Sequence, residues 1–150
     1  AYGPVANADG LAWSPDGRLC YYIDTPSMEV KVFRYDRESG ALLDPRVAFR
    51  TDILIHASPD GMAMDCDGML WIAFCHGSCV KRIDPADGRE LAHLPVPARE
   101  TTSLAFGGAH LRDLFITTGM DPKGETASGG RLFVVRDMPV AGCPVAPFAG

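Results

Sequence analysis

Two aspartates and a threonine lie at the same point of a segment that occurs three times in the chain. Asp9, Asp60 and Thr102 begin the strings DGLAW, DGMAM and TSLAF. Carboxylate oxygens are ligands that hard cations such as Ca²⁺, Mg²⁺ and Mn²⁺ prefer. Two carboxylates held together without a cation repel each other, and one of them takes up a proton. If the fold brings these residues together, two carboxylates and one hydroxyl from distant parts of the chain point at one place, as the residues of a functional site do.

The repeat also predicts the elements that position these residues. The first two copies continue into a turn rich in Asp and Gly, so each predicts two strands joined as a hairpin. The copies begin at residues 9, 60 and 102, a spacing typical of β-propeller blades. We therefore expect an all-β chain, a single domain over residues 1–150 with about three four-stranded blades. The innermost strand of each blade lines the central channel, where the three residues should converge.

Other apolar runs have the length of strands and are separated by Gly, Pro, Asp and Ser. They are residues 19–23, 30–35, 70–74, 80–83, 113–117 and 131–135. A second internal match aligns residues 32–40 with 80–88, where a strand ends in Asp36 or Asp84 and a glycine follows four residues later. Asp bonds the backbone in such turns and Gly supplies a positive φ, so we interpret these two acids as structural.

Composition excludes several partners. The net charge of -5 argues against nucleic acid, because a duplex binder needs a cationic face. No stretch reaches the roughly 20 apolar residues of a membrane span, so no membrane partner is expected. The N-terminal residues do not resemble a secretory signal, and five cysteines leave at least one unpaired. From these two features we expect a cytoplasmic protein.

The remaining candidates have competing interpretations. Cys75, His76 and Cys79 could be a fragment of a zinc site, but their spacing is loose, so reduced and buried thiols are preferred. His56 precedes Asp60 by four residues and is a candidate proton carrier or substrate contact, with a polar surface residue as the alternative. Capping of turns before glycine is the alternative for Asp9 and Asp60.

Six strings carry a family resemblance. In this order and spacing, they resemble the C-terminal half of the senescence marker protein, gluconolactonase and regucalcin family: GLAWSPDG, YYIDTP, PDGM, GMLWIA, RIDP and TTSLAFGG. The resemblance covers essentially the whole chain. The family fold is a six-bladed propeller of about twice this length, so the resemblance implies half of a propeller.

The resemblance implies metal-dependent hydrolysis of sugar lactones or small esters. One divalent cation is implied near the channel mouth, Ca²⁺ first, with Mg²⁺, Mn²⁺ or Zn²⁺ as alternatives. On the family's motif, Asp60 is a cation ligand and the general base, and Asp9 replaces an Asn ligand by a carboxylate. The family's ligand Glu and its substrate-contacting Arg, Asn and Asp have no counterpart here. His56 and Thr102 are the substrate-facing candidates.

Half a propeller also predicts a partner. Three blades leave open apolar faces and strand edges that invite association. We expect closure by a second copy in a homodimer, with a complementing N-terminal half or a rearranged sheet as alternatives. The alternative function is a non-catalytic propeller fragment that binds a divalent cation or another protein. Metal-dependent turnover that requires Asp60 would favour the hydrolase, and cation binding without turnover would favour the fragment.

Overall fold

The computed structural model describes residues 2–51, 56–124 and 126–144, and in them eleven strands form three antiparallel sheets. The first sheet contains β1 Ala8–Trp13, β2 Leu19–Asp24, β3 Glu29–Tyr35 and β4 Leu42–Arg50. The second contains β5 Ser58–Met64, β6 Leu70–Cys75, β7 Cys79–Ile83 and β8 Glu90–Pro95. The third contains β9 Thr101–Gly107, β10 Asp113–Thr118 and β11 Leu132–Val135. A short 3-10 helix, Thr25–Ser27, follows β2.

Each sheet is a meander whose strands follow one another in chain order. The first strands contact each other between sheets, β1 against β5 and β5 against β9. This is the arrangement of propeller blades around a channel, so the predicted fold class is confirmed. The third sheet has three strands within the described residues, one fewer than predicted for a blade. In the same part of the chain, no helix has the length and apolar character needed to cross a bilayer.

The turns rich in Asp and Gly join the first two strands of the first and second sheets, as predicted. The N–H of Gly17 donates to the carbonyl of Ser14 at 2.8 Å, and that of Gly68 donates to the carbonyl of Asp65 at 3.0 Å. The two glycines have φ values of 67° and 81°, which glycine adopts without the steric cost of a Cβ.

The second pair of turns is built around aspartates, again as predicted. Oδ1 of Asp36 accepts the N–H of Glu38 at 3.0 Å, and Oδ1 of Asp84 accepts the N–H of Ala86 at 2.9 Å. These hydrogen bonds fix the chain between β3 and β4 and between β7 and β8. The structural interpretation of both acids is confirmed.

The second sheet is covered on both faces, and β6 shows this most clearly. Leu70, Ile72 and Phe74 pack in a buried cluster with the first sheet. Trp71 and Ala73 pack in another with the third sheet. A strand covered on both sides becomes a continuous apolar run rather than an alternating one. This explains why residues 70–74 read as an uninterrupted hydrophobic string.

Among the described residues, the third sheet has one covered face and one open face. Leu114 and Ile116 of β10 are buried against the second sheet. On the other face, Leu132 and Val134 of β11 are 65% and 40% exposed. Val134 pairs with Phe115, which extends this open apolar face onto β10. The open face is at the end of the blade series, where the next blade of a ring would pack.

Candidate functional site

The inner strands β1 and β5 carry the same irregularity. Between Ala8 and Leu11, β1 has one residue more than the opposite stretch of β2. Between Pro59 and Met62, β5 has the same bulge against β6. Each bulge contains the predicted site aspartate of its strand and the glycine that follows. Bulges redirect side chains and are frequent beside functional sites. The two aspartates therefore depart from the regular strand pairing at equivalent positions of β1 and β5.

The third inner strand has an equivalent bulge at Thr102. Thr101 pairs with Thr118 and Ser103 pairs with Thr117, which leaves Thr102 as the extra residue of β9. Its hydroxyl lies 2.9 Å from Oγ1 of Thr117. The structure therefore places Thr102 at the repeat position of the two aspartates.

Glycines at the bulges allow the inner strands to approach each other. A Cβ at Gly10 would lie 2.6 Å from the carbonyl oxygen of Asp60. A Cβ at Gly61 would lie 2.2 Å from Oγ of Ser103. Both distances are too short for real contacts, so a side chain at either glycine would push two blades apart. The two glycines therefore set the spacing of the site.

We expect Gly10→Ala to lower the free energy of unfolding by about 1–3 kcal/mol, because the added methyl overlaps the backbone of β5. Ser103→Ala is the matched control, since the same repeat position in β9 already has a side chain and no atom is added. Urea unfolding followed by tryptophan fluorescence measures both changes. An unfolding midpoint of Gly10→Ala equal to the wild type would contradict the close contact of β1 with β5.

The carboxyl groups of Asp9 and Asp60 are in hydrogen-bond contact. Burial first, and then the hydrogen bond and the negative charge of Asp9, together raise the pKa of Asp60 from 3.8 to about 7. The N–H of Gly61 acts in the opposite direction. Oδ2 of Asp9 also accepts a hydrogen bond from Oγ1 of Thr25 at 3.1 Å. Asp60 therefore holds its proton up to near neutral pH.

The raised pKa of Asp60 makes the stability of the fold depend on pH. Because the pKa of Asp60 rises from 3.8 in the unfolded chain to about 7 in the folded one, its contribution is complete below pH 3.8 and is lost as pH rises through 7. We expect a loss on the order of 1 kcal/mol in chelator, since solvent screens this half-buried group. Asp60→Asn should lack this pH-dependent loss of stability, because the amide does not titrate. Thermal unfolding across this pH range, compared between the two proteins, tests it, and parallel curves would contradict the coupling.

The opposite ends of the inner strands line a separate cavity of about 760 Å³. Its walls include Trp13, Met64 and Phe106, the last apolar side chains of the three repeated strings. Asp9 and Asp60 do not line it. The cavity is therefore distinct from the candidate site.

His56 lies in a turn shortly before β5. It is exposed and has a φ of 73°. Residues 52–55, which precede it, lie outside the described residues. Its role as proton carrier or substrate contact stays a prediction.

A second group of ionisable side chains combines Cys75 and His76, two members of the zinc fragment considered above, with Glu100, which was not predicted. Cys75 at the end of β6 forms an isolated backbone bridge with Glu100, just before β9, and His76 follows Cys75 in the turn. Nδ1 of His76 lies 2.6 Å from Oε2 of Glu100, and Sγ of Cys75 lies 3.1 Å from the same oxygen. Cys79 lies in the buried core instead. The sequence offered one signal, because Glu100 precedes Thr102 by two residues and so belongs to the start of the third repeat.

Burial and neighbouring charges shift the pKa values of Cys75 and Glu100 in this second group. Burial raises the pKa of the Cys75 thiol to about 12, with Glu100 and Asp60 adding to the shift. Burial of Glu100 opposes its ionisation, but hydrogen bonds from Cys75 and His76 and the charge of Arg99 bring its pKa below the usual value. Nη1 of Arg99 lies 2.5 Å from Oε1 of Glu100.

The chain is similar to several known proteins. Residues 2–120 match the model of the SMP-30/gluconolactonase/LRE-like region. The Bacillus subtilis (strain 168) protein YvrE, whose name assigns it provisionally to the sugar lactone lactonases, is 38% identical over 151 residues, which are 97% of this chain and 51% of that protein. Regucalcin of Sus scrofa is 36% identical over 154 residues, which are 99% of this chain and 51% of regucalcin.

A solved structure shows the same fold. The luciferin-regenerating enzyme superposes with a TM-score of 0.82 at 30% sequence identity, over 94% of this chain and 49% of that enzyme. The chain thus spans about half the length of the curated relatives it matches. Since the family model covers most of the chain and the relatives match nearly all of it, the chain belongs to the SMP-30/gluconolactonase/LRE-like family.

Proposed function

We propose that this chain supplies about half of a metal-dependent hydrolase of sugar lactones. The observation that carries the proposal is the contact between the carboxyl groups of Asp9 and Asp60, which come from equivalent bulges of neighbouring blades. The family supports the substrate class, because it includes gluconolactonases and YvrE. Turnover, cation and partner are all parts of this proposal.

Asp9 and Asp60 fit a divalent cation, with Ca²⁺ as the first candidate and Mg²⁺, Mn²⁺ or Zn²⁺ as alternatives. Both donors are carboxylate oxygens, which hard cations prefer. Their contact concentrates negative charge and retains a proton that a cation would displace. When bound, the cation would polarise the lactone carbonyl and lower the pKa of a water molecule.

Asp60 is the proposed general base. It would accept a proton from the water that attacks the carbonyl carbon, and the ring oxygen would leave as a hydroxyl group after receiving a proton. A carboxylate within hydrogen-bond reach of the attacking water is a suitable acceptor for this proton. Thr25 orients Asp9 through the hydrogen bond to Oδ2. Thr102 and His56 are proposed to contact the substrate.

Lactone hydrolysis is tested directly on the purified chain. We expect acid release from gluconolactone to exceed the spontaneous rate when Ca²⁺ or Mn²⁺ is present, and to return to it in chelator. Addition of a separately produced N-terminal half of a relative tests whether the other blades are required. Cation binding without turnover under both conditions would favour the alternative, a non-catalytic binding module that presents the open face of the third sheet to a protein.

We also propose that a second chain completes the ring, a second copy in a homodimer being favoured over a complementing N-terminal half. The open apolar face around Val134 supports this proposal, since such a face in water invites association. We expect Val134→Lys to yield a monomer in size-exclusion chromatography with light scattering. Val47→Lys is the matched control, because Val47 is similarly exposed at 43% but lies on the outer strand β4. A wild-type monomer at micromolar concentration would overturn the homodimer.

A further inference from the structure

Cys75, His76 and Glu100 present three different donor atoms to one point. Sγ, Nδ1 and a carboxylate oxygen all lie within 4.8 Å of one another. The separations are 2.6 Å from Nδ1 to Oε2, 3.1 Å from Sγ to Oε2, and 4.0 Å from Sγ to Nδ1. Glu100 is buried, Cys75 is half-buried and His76 is exposed. The group is therefore open to solvent on one side only.

We propose that Cys75, His76 and Glu100 form a binding site for a Zn²⁺-like transition-metal ion, distinct from the Asp9–Asp60 pair. Thiolate, imidazole and carboxylate are the three ligand types of zinc. Around a tetrahedral zinc ion these atoms would be about 3.3–3.6 Å apart, so rearrangements of less than about 1 Å would suffice. Three protein ligands leave a fourth position for water or another ligand. The ion would displace the proton of the Cys75 thiol.

The arrangement differs from that of a cysteine nucleophile. In a Cys–His–carboxylate relay, the thiol and the carboxylate contact opposite ring nitrogens, so that a proton passes through the imidazole. Here the contacts of Cys75 and Glu100 both involve Nδ1 of His76. All three donors therefore converge on one point, as metal ligands do.

The backbone also holds the donors in place. Cys75 ends a strand whose preceding residues are buried, and its bridge to Glu100 ties the second sheet to the third. His76 has a φ of 66°, a sparsely populated conformation for a residue with a Cβ. Such strained residues persist when the surroundings define them, and they concentrate at ligand sites. The imidazole is thereby directed toward Glu100.

The guanidinium group of Arg99 contacts two of the proposed donor side chains and so competes with a metal ion for them. Its Nη1 lies 2.5 Å from Oε1 of Glu100 and 3.1 Å from Nδ1 of His76. The contact with Oε1 leaves Oε2 for a metal and can persist in the bound state. The contact with Nδ1 must break, so the guanidinium charge weakens metal binding. We therefore expect Arg99→Gln to bind the metal more tightly than the wild type.

Cobalt titration tests the proposal, because Co²⁺ occupies zinc sites and a thiolate ligand gives it a charge-transfer band in the near ultraviolet. We expect the wild-type chain to show this band, with Zn²⁺ displacing Co²⁺. Cys75→Ser should abolish the band, and His76→Gln should weaken Zn²⁺ affinity at least about 10-fold in calorimetry. Cys66→Ser removes an exposed thiol elsewhere and should change neither signal. His76→Gln alters an exposed side chain, so it remains informative if Cys75→Ser fails to fold.

Two results would overturn the proposal. The first is the absence of a charge-transfer band in the wild-type chain, or a band that Cys66→Ser removes and Cys75→Ser does not. The second is Zn²⁺ binding that is unchanged in His76→Gln and lost in Asp60→Asn, which would assign the metal to the carboxylate pair. Binding retained in Asp60→Asn and lost in both Cys75→Ser and His76→Gln supports a second site.

Discussion

Asp60→Asn should weaken Ca²⁺ binding by at least about 100-fold, whereas Asp9→Asn should retain most of it. Replacing even an indirect partner of a metal ligand typically costs 10–100-fold in affinity, so losing a charged ligand should cost more. The family resemblance places Asn, whose amide oxygen coordinates Ca²⁺, at the position of Asp9, but a carboxylate at the position of Asp60. The two variants remove the same charge from the same contact. A difference between them would therefore report the ligand role of Asp60.

The same two variants distinguish the loss of a calcium ligand from the loss of repulsion between the two carboxylates. Without calcium, Asp9→Asn removes the negative charge beside Asp60, so the pKa of Asp60 should fall from about 7 toward its usual value, with burial still opposing the change. NMR titration of the Asp60 carboxyl carbon measures this pKa. An unchanged value would mean that burial alone sets it.

Calorimetry with Ca²⁺ measures the affinities, and Asp16→Asn is the control. Asp16 is an exposed turn acid of the same repeat, bound to the hydroxyl of Ser14 and the N–H of Arg18. Its replacement should leave calcium affinity unchanged. Wild-type affinity in Asp60→Asn would contradict the proposed site, because the cation would then be bound elsewhere.

Much of the fold could be predicted because the repeat and the turn chemistry are local. The strands not predicted are β4 and β8, the outermost of their sheets. β4 contains Asp44 and Pro45 among largely exposed residues, and proline is tolerated at a sheet edge where its missing N–H faces solvent. An edge strand with few buried side chains has no strong apolar pattern. Its pairing with β3 is therefore visible only in the structure.

The candidate site, like the fold, could be predicted from the sequence only in part. The contact of Asp9 with Asp60 follows from their equal positions in the repeat, which sequence comparison within the chain reveals. Glu100 could not be assigned in that way, because its contacts with Cys75 and His76 depend on how the end of β6 meets the start of β9. That meeting is set by packing between blades, which no single segment of sequence encodes. Contacts between repeats are thus the part that the repeat itself leaves undetermined.

Asp65 makes its contacts within the second blade, and its replacement should have the largest effect on stability. The side chain is fully buried and accepts four hydrogen bonds. Oδ1 accepts the backbone N–H groups of Asp67 and Met69 at 3.0 and 2.9 Å. Oδ2 accepts Nε1 of Trp71 at 2.9 Å and Nε of Arg82 at 2.7 Å. One carboxylate therefore joins the turn after β5 to β6 and β7.

We expect Asp65→Ala to lower the free energy of unfolding by about 3–5 kcal/mol, because it leaves the indole N–H of Trp71 and the charge of Arg82 without this partner. That is a large part of the total stability of an ordinary domain, about 5–15 kcal/mol. Asp65→Asn keeps the shape of the side chain but removes its charge. Its free energy of unfolding should lie between those of the wild type and Asp65→Ala.

Ser14→Ala is the matched control for Asp65, because Ser14 occupies the same turn position in the first blade. Its hydroxyl accepts the N–H of Leu19 at 2.9 Å and is only half-buried, so its loss should cost about 1 kcal/mol or less. Urea unfolding of the three variants gives the comparison. If Asp65→Ala and Ser14→Ala cost the same, the buried carboxylate contributes no more than an ordinary turn, and the link between β5, β6 and β7 must come from apolar packing. If Asp65→Ala is too unstable to purify, the stability loss of Asp65→Asn can still be compared with that of Ser14→Ala.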